Sequence, residues 1–438
     1  MPSLTELAEQ ALVLAKRLDS YTDTHNLPPV SLDQDTLSLD KLPQELRDAR
    51  HELGDTAQLI KRLANDPVRN LMETMFSFTD LASLKAVFEY DLPARIPLEP
   101  SNKTISCSEI AQMSGMPQGL CRRMIVHAME NGIFIDAGDG QVGHSSVSRL
   151  LATDPAAFQT VGMILEELAP ATMRIPEALR KYGTSSEPNE TAYNMVNDTS
   201  LPIYRFLEER PDRRSRFGTT MGFFSRDQGF NIEHLVNGFP WKAIDRPGAV
   251  AVDIGGGVGV VCHKLAEATD HLKFIVQDLP TPIKLGRQQL PEAAQWRDRV
   301  DFMVADFLAQ DQPVIGAEVY FFRWILHNWG DEYCVQILRR LVPAMRNHSK
   351  VVIYDYLLAE GPEYKWSRKH GRNLDLVMYA CWNGSERTLT DLTRIFQQAD
   401  KRYVVDEVSR PPGSSMSIVS FGWKEHAVDS SRQTTCTK

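Results

Sequence analysis

Cysteine is scarce and scattered in this sequence: Cys107, Cys121, Cys262, Cys334, Cys381 and Cys436 are the six in 438 residues. No two make a CxxC pair and no histidine spacing completes a zinc cage, so reduced thiols and no bound metal are expected. No run approaches the roughly 18 apolar residues that a membrane span requires. Positive charge is in deficit, with 48 Lys and Arg against 57 Asp and Glu and a net charge of −9. A general attraction to nucleic acid or to an anionic membrane is thereby disfavoured. The amino terminus, MPSLTELAEQALVLAKRLDSYTD, has helical periodicity and lacks the basic start, apolar block and cleavage site of a secretory leader. A cytoplasmic protein is expected, with no nucleic-acid or membrane partner.

What is present is enough apolar material, 42% of the chain, for two or three domains. Residues 1–67 read as a helical extension, broken by the Pro-rich, acidic connector NLPPVSLDQDTLSLDKLP at 26–43. The stretch 68–90 is a long apolar helix, and 106–151 reads helix, Gly turn, helix and a hairpin turning at Asp139-Gly140. We therefore expect a winged helix over 68–152. Its second helix carries only Arg122 and Arg123 among apolar residues, which favours dimerisation over DNA reading. The apolar helix needs cover, and a homodimer is expected. Residues 153–238 continue as helical segments that connect and line the substrate side, and the tail 425–438 is expected to be disordered.

Between 239 and 424 the pattern changes. AVAVDIGG, LKFIVQDL, VDFMVAD, AEVYFFRWIL and KVVIYDYL are short apolar runs separated by helical stretches, the signature of a parallel sheet in an α/β, Rossmann-like domain. The first run leads into DIGGGVG, residues 253–259. A dinucleotide fingerprint would need glycine where Val260 or Cys262 stands, and no Lys-Ser or Lys-Thr follows to hold a triphosphate. Asp253 beside Gly255 and Gly257 suits the ammonium of an amino-acid moiety. Asp278, followed by Leu279, ends the next run 25 residues on and can accept from two ribose hydroxyls. Asp306 and Phe307 end the third run, where an acid and an aromatic fit an adenine edge and face. Together these point to S-adenosyl-L-methionine.

DIGGGVG, IVQDLP, RWILHNWGDEYC (Arg323 to Cys334) and NGSERT (Asn383 to Thr388) occur in an order and spacing that resembles the plant- and fungal-type small-molecule O-methyltransferases, over about residues 70–424. That resemblance implies a class I methyltransferase domain behind a winged-helix dimerisation domain. It implies His327 as the general base for the substrate hydroxyl, Trp329 beside the adenine ring, Arg323 near the cofactor, and Asp355 and Glu386 as acids that orient the base. An imidazole near pKa 6.5 suits the task, because a phenol near 10 is protonated at neutral pH. Two positions depart from the plant pattern: Asn328 stands where those members carry Asp, and Asp355 where they carry Glu. Asp331 and Glu332 are read as favouring the start of the next helix through its dipole.

Met173, Met221, Phe224, Met378 and Trp382, together with Phe217, are the candidates for an apolar slot that takes a planar phenol, polyketide or alkaloid, and Ser225 for a further cofactor contact. The leading expectation is therefore methylation of a small-molecule hydroxyl in fungal-type secondary metabolism. The alternatives are a relative that keeps the cofactor and performs a dehydration or pericyclic step, and a winged-helix regulator.

Overall fold

The computed structural model describes residues 2–33, 36–100, 103–226 and 228–424; the tail from 425, with Cys436, lies outside the described residues. The chain forms two compact units, one of Met1–Met173, Tyr204–Phe224 and Tyr364–His370, the other of the remaining segments. Residues 153–238, expected as one helical region, contribute to both.

In the first unit, α1 (Leu4–Thr24) starts at a capping box in which the Ser3 side chain takes the Glu6 N–H and Glu6 reaches back to Ser3. It packs on α2 (Gln44–Ala64), with Leu18, Leu37, Leu42 and Leu46 buried between helices and connector. α3 (Pro67–Glu89) buries only Ser83 and Val87, and Leu71, Met75 and Phe78 are all more than half exposed. α4 (Cys107–Ser114) ends at Gly115, whose φ of 73° only glycine adopts freely, and α5 (Gln118–Glu130) follows. β1 (Ile105–Ser106), β2 (Phe134–Asp136) and β3 (Gln141–His144) form a small antiparallel sheet in the order β1-β3-β2. His144 is a satisfied core residue there, bonded to Ser148 Oγ and the Ile96 carbonyl. A π-helical turn at Ile164–Leu168 presents Glu166 to Arg216 and the buried Glu167 to Arg213, which ties it to the helix Pro211–Arg226.

The second unit is built on a seven-stranded sheet. β4 (Val250–Ile254), β5 (Lys273–Asp278), β6 (Val300–Val304), β7 (Val319–Arg323) and β8 (Lys350–Asp355) are parallel. A short parallel pair, β9 (Leu357–Leu358) and β10 (Arg387–Thr388), stands apart from that sheet. β11 (Tyr403–Ser409) and β12 (Ser417–Trp423) complete the main sheet, with β12 antiparallel to β8, in the order β11-β12-β8-β7-β4-β5-β6. Val319 to Phe322 are fully buried because both faces of the sheet carry apolar clusters. This is the expected α/β, Rossmann-like fold. The strand order reverses beside β4, so the carboxyl ends of β4, β5 and β7 converge where such sheets bind ligands.

The helix Leu389–Ala399 presses Phe396 flat on Phe421 of β12, with ring centroids 3.6 Å apart. Phe396→Ala should lower the stability of this unit by about 3–5 kcal/mol, read as a shifted urea midpoint. A loss below about 1 kcal/mol would mean that the stack does not hold the helix to the sheet.

Candidate active site

The turn after β4 is compressed on one side and open on the other. Gly255 and Gly256 donate their N–H groups to the Gln277 carbonyl at 2.8 and 3.0 Å, which folds the turn over the end of β5. A Cβ on Gly255 would collide with Ile325, and one on Gly256 would lie 2.5 Å from the Asp253 carboxyl. A Cβ on Gly257 would meet nothing within 4 Å, so the backbone there faces free space. Asp278 spans the turn, accepting from Gly257 N–H at 2.8 Å and Leu279 N–H at 2.7 Å, and burial raises its pKa. Asp253 is 2% exposed, packed against Gly256, and accepts from the Cys262 thiol at 3.5 Å. Burial pushes its carboxyl up to about 7, against the opposing pull of that thiol and of Arg323.

At the end of β6 the Asp306 carboxylate accepts from Leu308 and Ala309 N–H groups at 2.9 and 3.3 Å and so fixes its own turn. Phe307 meets Trp329 edge to face at 6.0 Å, and Trp329 lies 5.6 Å from Tyr333. Arg323, at the end of β7, donates to the Phe230 carbonyl at 3.1 Å and Ser225 Oγ at 3.4 Å. Its guanidinium lies 4.0 Å over the Trp324 ring, and its buried Nε has no hydrogen-bond partner among the described residues.

β7 stops because Trp324 adopts φ +57°. Two side chains hold that left-handed residue: Asp355 accepts from its N–H at 2.5 Å, and Asn328 donates to its carbonyl at 2.8 Å. The 3₁₀ turn Leu326–Asn328 then presents His327, whose Nδ1 bonds Glu386 Oε1 at 2.8 Å. The pair is buried, with side-chain exposures of 13% and 1%. Burial pulls the imidazole pKa down, but the charge and hydrogen bond of Glu386 outweigh it and hold the group above its ordinary value. Asp355 has no hydrogen bond to His327 among the described residues, and burial raises its carboxyl to about 7.

β9 and β10 bring NGSERT alongside this turn, with Arg387 opposite Leu357. Glycine is required at 384, where any Cβ would collide with the His327 carbonyl. Asn383, at φ +52°, is fastened to the Glu187 and Glu190 carbonyls. The Glu386 N–H donates to Asp375 at 3.1 Å.

Sequence reasoning quoted NGSERT and gave no role to Arg387, which is 4% exposed and bonded to the His327 turn. Asp331 does open the helix Asp331–Leu341 as expected, and it also accepts from Arg387 and Arg394. The substrate-side candidates divide between the units. Met173 (72% exposed), Phe217, Met221 and Phe224 belong to the first; Met378 and Trp382, both buried, belong to the second.

Residues 186–401 match the O-methyltransferase domain family. The chain is 31% identical over 424 residues to the chlorophenol O-methyltransferase of Trichoderma longibrachiatum, covering 96% of this chain and 90% of that one. The chain belongs to the O-methyltransferase family. It is an S-adenosylmethionine-dependent O-methyltransferase of the kind found in fungal secondary metabolism. Its fold is that of OxaC, seen in complex with S-adenosylhomocysteine and oxaline (TM-score 0.73, 21% identity, 96% and 99% of the two chains). A pericyclic reaction enzyme shares the fold as well (TM-score 0.72, 23% identity, 86% and 94%).

The raised carboxyls of Asp253 and Asp355 carry a consequence for the stability of this O-methyltransferase. The folded state keeps protons that an unfolded Asp, near 3.9, has lost, so these groups make stability fall as pH rises from about 4 to about 7. Asp355→Asn, whose Oδ1 still accepts from Trp324 N–H, should be more stable relative to wild type at pH 8 than at pH 5. Urea midpoints at the two pH values check this, and an equal difference at both would refute it.

Proposed function

We propose that this O-methyltransferase methylates a phenolic hydroxyl of an aromatic, polyketide or alkaloid secondary metabolite, with His327 as general base. The observation that carries this reading is the buried 2.8 Å contact between His327 Nδ1 and Glu386. With Nδ1 donating to the carboxylate, Nε2 is the acceptor available to a substrate hydroxyl, and Glu386 stabilises the imidazolium once the proton has moved. Support for a phenol comes from the Trichoderma relative, whose name specifies chlorophenol.

The residues present fit the cofactor. Gly257 leaves open space against its backbone, and Asp278 offers a carboxylate for the ribose hydroxyls beside it. Gly255 and Leu279 shape the turn, Asp306, Phe307 and Trp329 hold the adenine, and Arg323 has an unused buried donor. Asp253, packed against Gly256 of the same turn, is assigned to the end of the site that takes the ammonium of the amino-acid moiety. S-adenosylmethionine bound there supplies an electrophilic methyl group. The protein's own task is to align the hydroxyl, exclude water and take its proton. Met173, Met221, Phe224, Met378 and Trp382 are assigned to substrate.

With methyl-labelled S-adenosylmethionine and a panel of phenols, wild type should transfer label, and His327→Ala should lose about 10²- to 10⁴-fold in rate. Cofactor binding without label transfer to any of the panel would move the reading to a non-methylating reaction. The rate should rise with pH through a midpoint above the ordinary imidazole value, because the base must be neutral; Glu386→Gln should lower both that midpoint and the rate. A midpoint unmoved in Glu386→Gln would remove Glu386 from the mechanism.

The apolar face of α3 is assigned to a second copy of the chain, since Leu71, Met75 and Phe78 fall at helical spacing and are exposed. Sedimentation should give twice the chain's 49.4 kDa, and Met75→Glu should halve it; a monomeric wild type would sink the assignment.

A further inference from the structure

The His327 turn is a single 3₁₀ turn between a strand end and a helix, too short to hold its own shape by backbone bonds. Its carbonyls point inward. The Leu326 carbonyl receives Arg387 Nη1 at 2.8 Å and the Cys334 thiol at 3.2 Å, besides the Trp329 N–H. The Trp329 carbonyl receives Arg387 Nη2 at 2.6 Å and the same thiol at 3.5 Å. Nε and Nη2 of Arg387 also reach Asp331 Oδ1 at 3.1 and 2.9 Å, and the other Asp331 oxygen takes Arg394 at 2.6 Å. One buried guanidinium therefore grips the residue before the base, the residue two after it and the first residue of the next helix. Its own backbone neighbour is Glu386.

We propose that Arg387 is a positioning residue that holds the His327 turn in register with Glu386 and, through the Trp329 carbonyl, couples the base to the adenine side of the cofactor site. The inference rests on the reading of His327 as base. A planar fork is needed, because two carbonyls and a carboxylate must be met at once in fixed directions; a lysine ammonium is a point charge on a flexible stem.

Arg387→Lys is the test. His327 is followed by NMR of ring-labelled histidine, assigned with His327→Gln, and affinity for S-adenosylhomocysteine is measured by calorimetry. We expect Arg387→Lys to lower the His327 titration midpoint toward the ordinary range, as the Glu386 contact loosens. The sign is diagnostic: the positive charge of Arg387 pushes the imidazole down and a lysine keeps that charge, so a lowered midpoint reports the loosened Glu386 contact and not a lost charge. S-adenosylhomocysteine should bind about tenfold more weakly, the scale of one lost charged hydrogen bond.

A lowered melting temperature with titration and affinity both unchanged would overturn the proposal and leave Arg387 a structural residue. If Arg387→Lys does not fold, Asp331→Ala removes the acceptor of two Arg387 bonds; losing an anion lowers an imidazole midpoint by itself, so for this variant the affinity for S-adenosylhomocysteine decides. Glu386→Gln is the control. If it leaves the His327 midpoint unmoved, the pairing with Glu386 fails on its own, label transfer retained by His327→Ala would sink the base reading separately, and the cofactor affinity of Arg387→Lys alone judges the clamp.

Discussion

A buried carboxylate is costly unless something compensates it, and Glu386 is compensated by His327. Its second oxygen, Oε2, is buried with no hydrogen-bond partner among the described residues, so the contact from Oε1 to Nδ1 carries the pairing alone. Much of the second unit is arranged to bring those two atoms together. The parallel sheet ends β7 at the right height, a left-handed Trp324 turns the chain aside, and the β9–β10 pair returns a segment 59 residues later in sequence. Gly384 then lets that segment touch the backbone of His327, which no other residue would allow.

This dependence makes the site rigid where chemistry needs rigidity. The imidazole cannot turn without breaking its bond to Glu386, and the turn that carries it is gripped at the Leu326 and Trp329 carbonyls by Arg387. The glycine turn after β4 uses a different device: its shape is set by the Gln277 carbonyl and Asp278, while Gly257 is left open. One side of the site is fixed by a charged clamp, the other by backbone packing beneath an accessible surface.

Local signals in the sequence carried the fold. The helical periodicity at the amino terminus, the turn at Gly115 and the five apolar runs all correspond to elements with close boundaries, because each depends on residues within a few positions of one another. Asp278 was legible as the acid that ends the second apolar run, where β5 does end, and His327 only through the family resemblance of its motif. Arg387 was not, since its partners lie about sixty positions away and no periodic pattern marks an arginine that faces inward. The π-helical turn and its pairs to Arg213 and Arg216 were hidden for the same reason, as was the division of residues 153–238 between the units.

The two departures from the plant pattern acquire a joint explanation in the structure. Asn328 and Asp355 act on one residue, the amide donating to the Trp324 carbonyl and the short carboxylate accepting from the Trp324 N–H. An ionised Asp at 328 has no proton to donate to that carbonyl, and it would add another buried negative charge near Asp355 and Glu386. Asn328 thus supplies the donor that an acid lacks, and Asp355 is placed to hold the bend after β7, with no hydrogen bond to His327 among the described residues. Orientation of His327 then falls to Glu386, and the strained Trp324 is the point through which the other two side chains set where the turn begins.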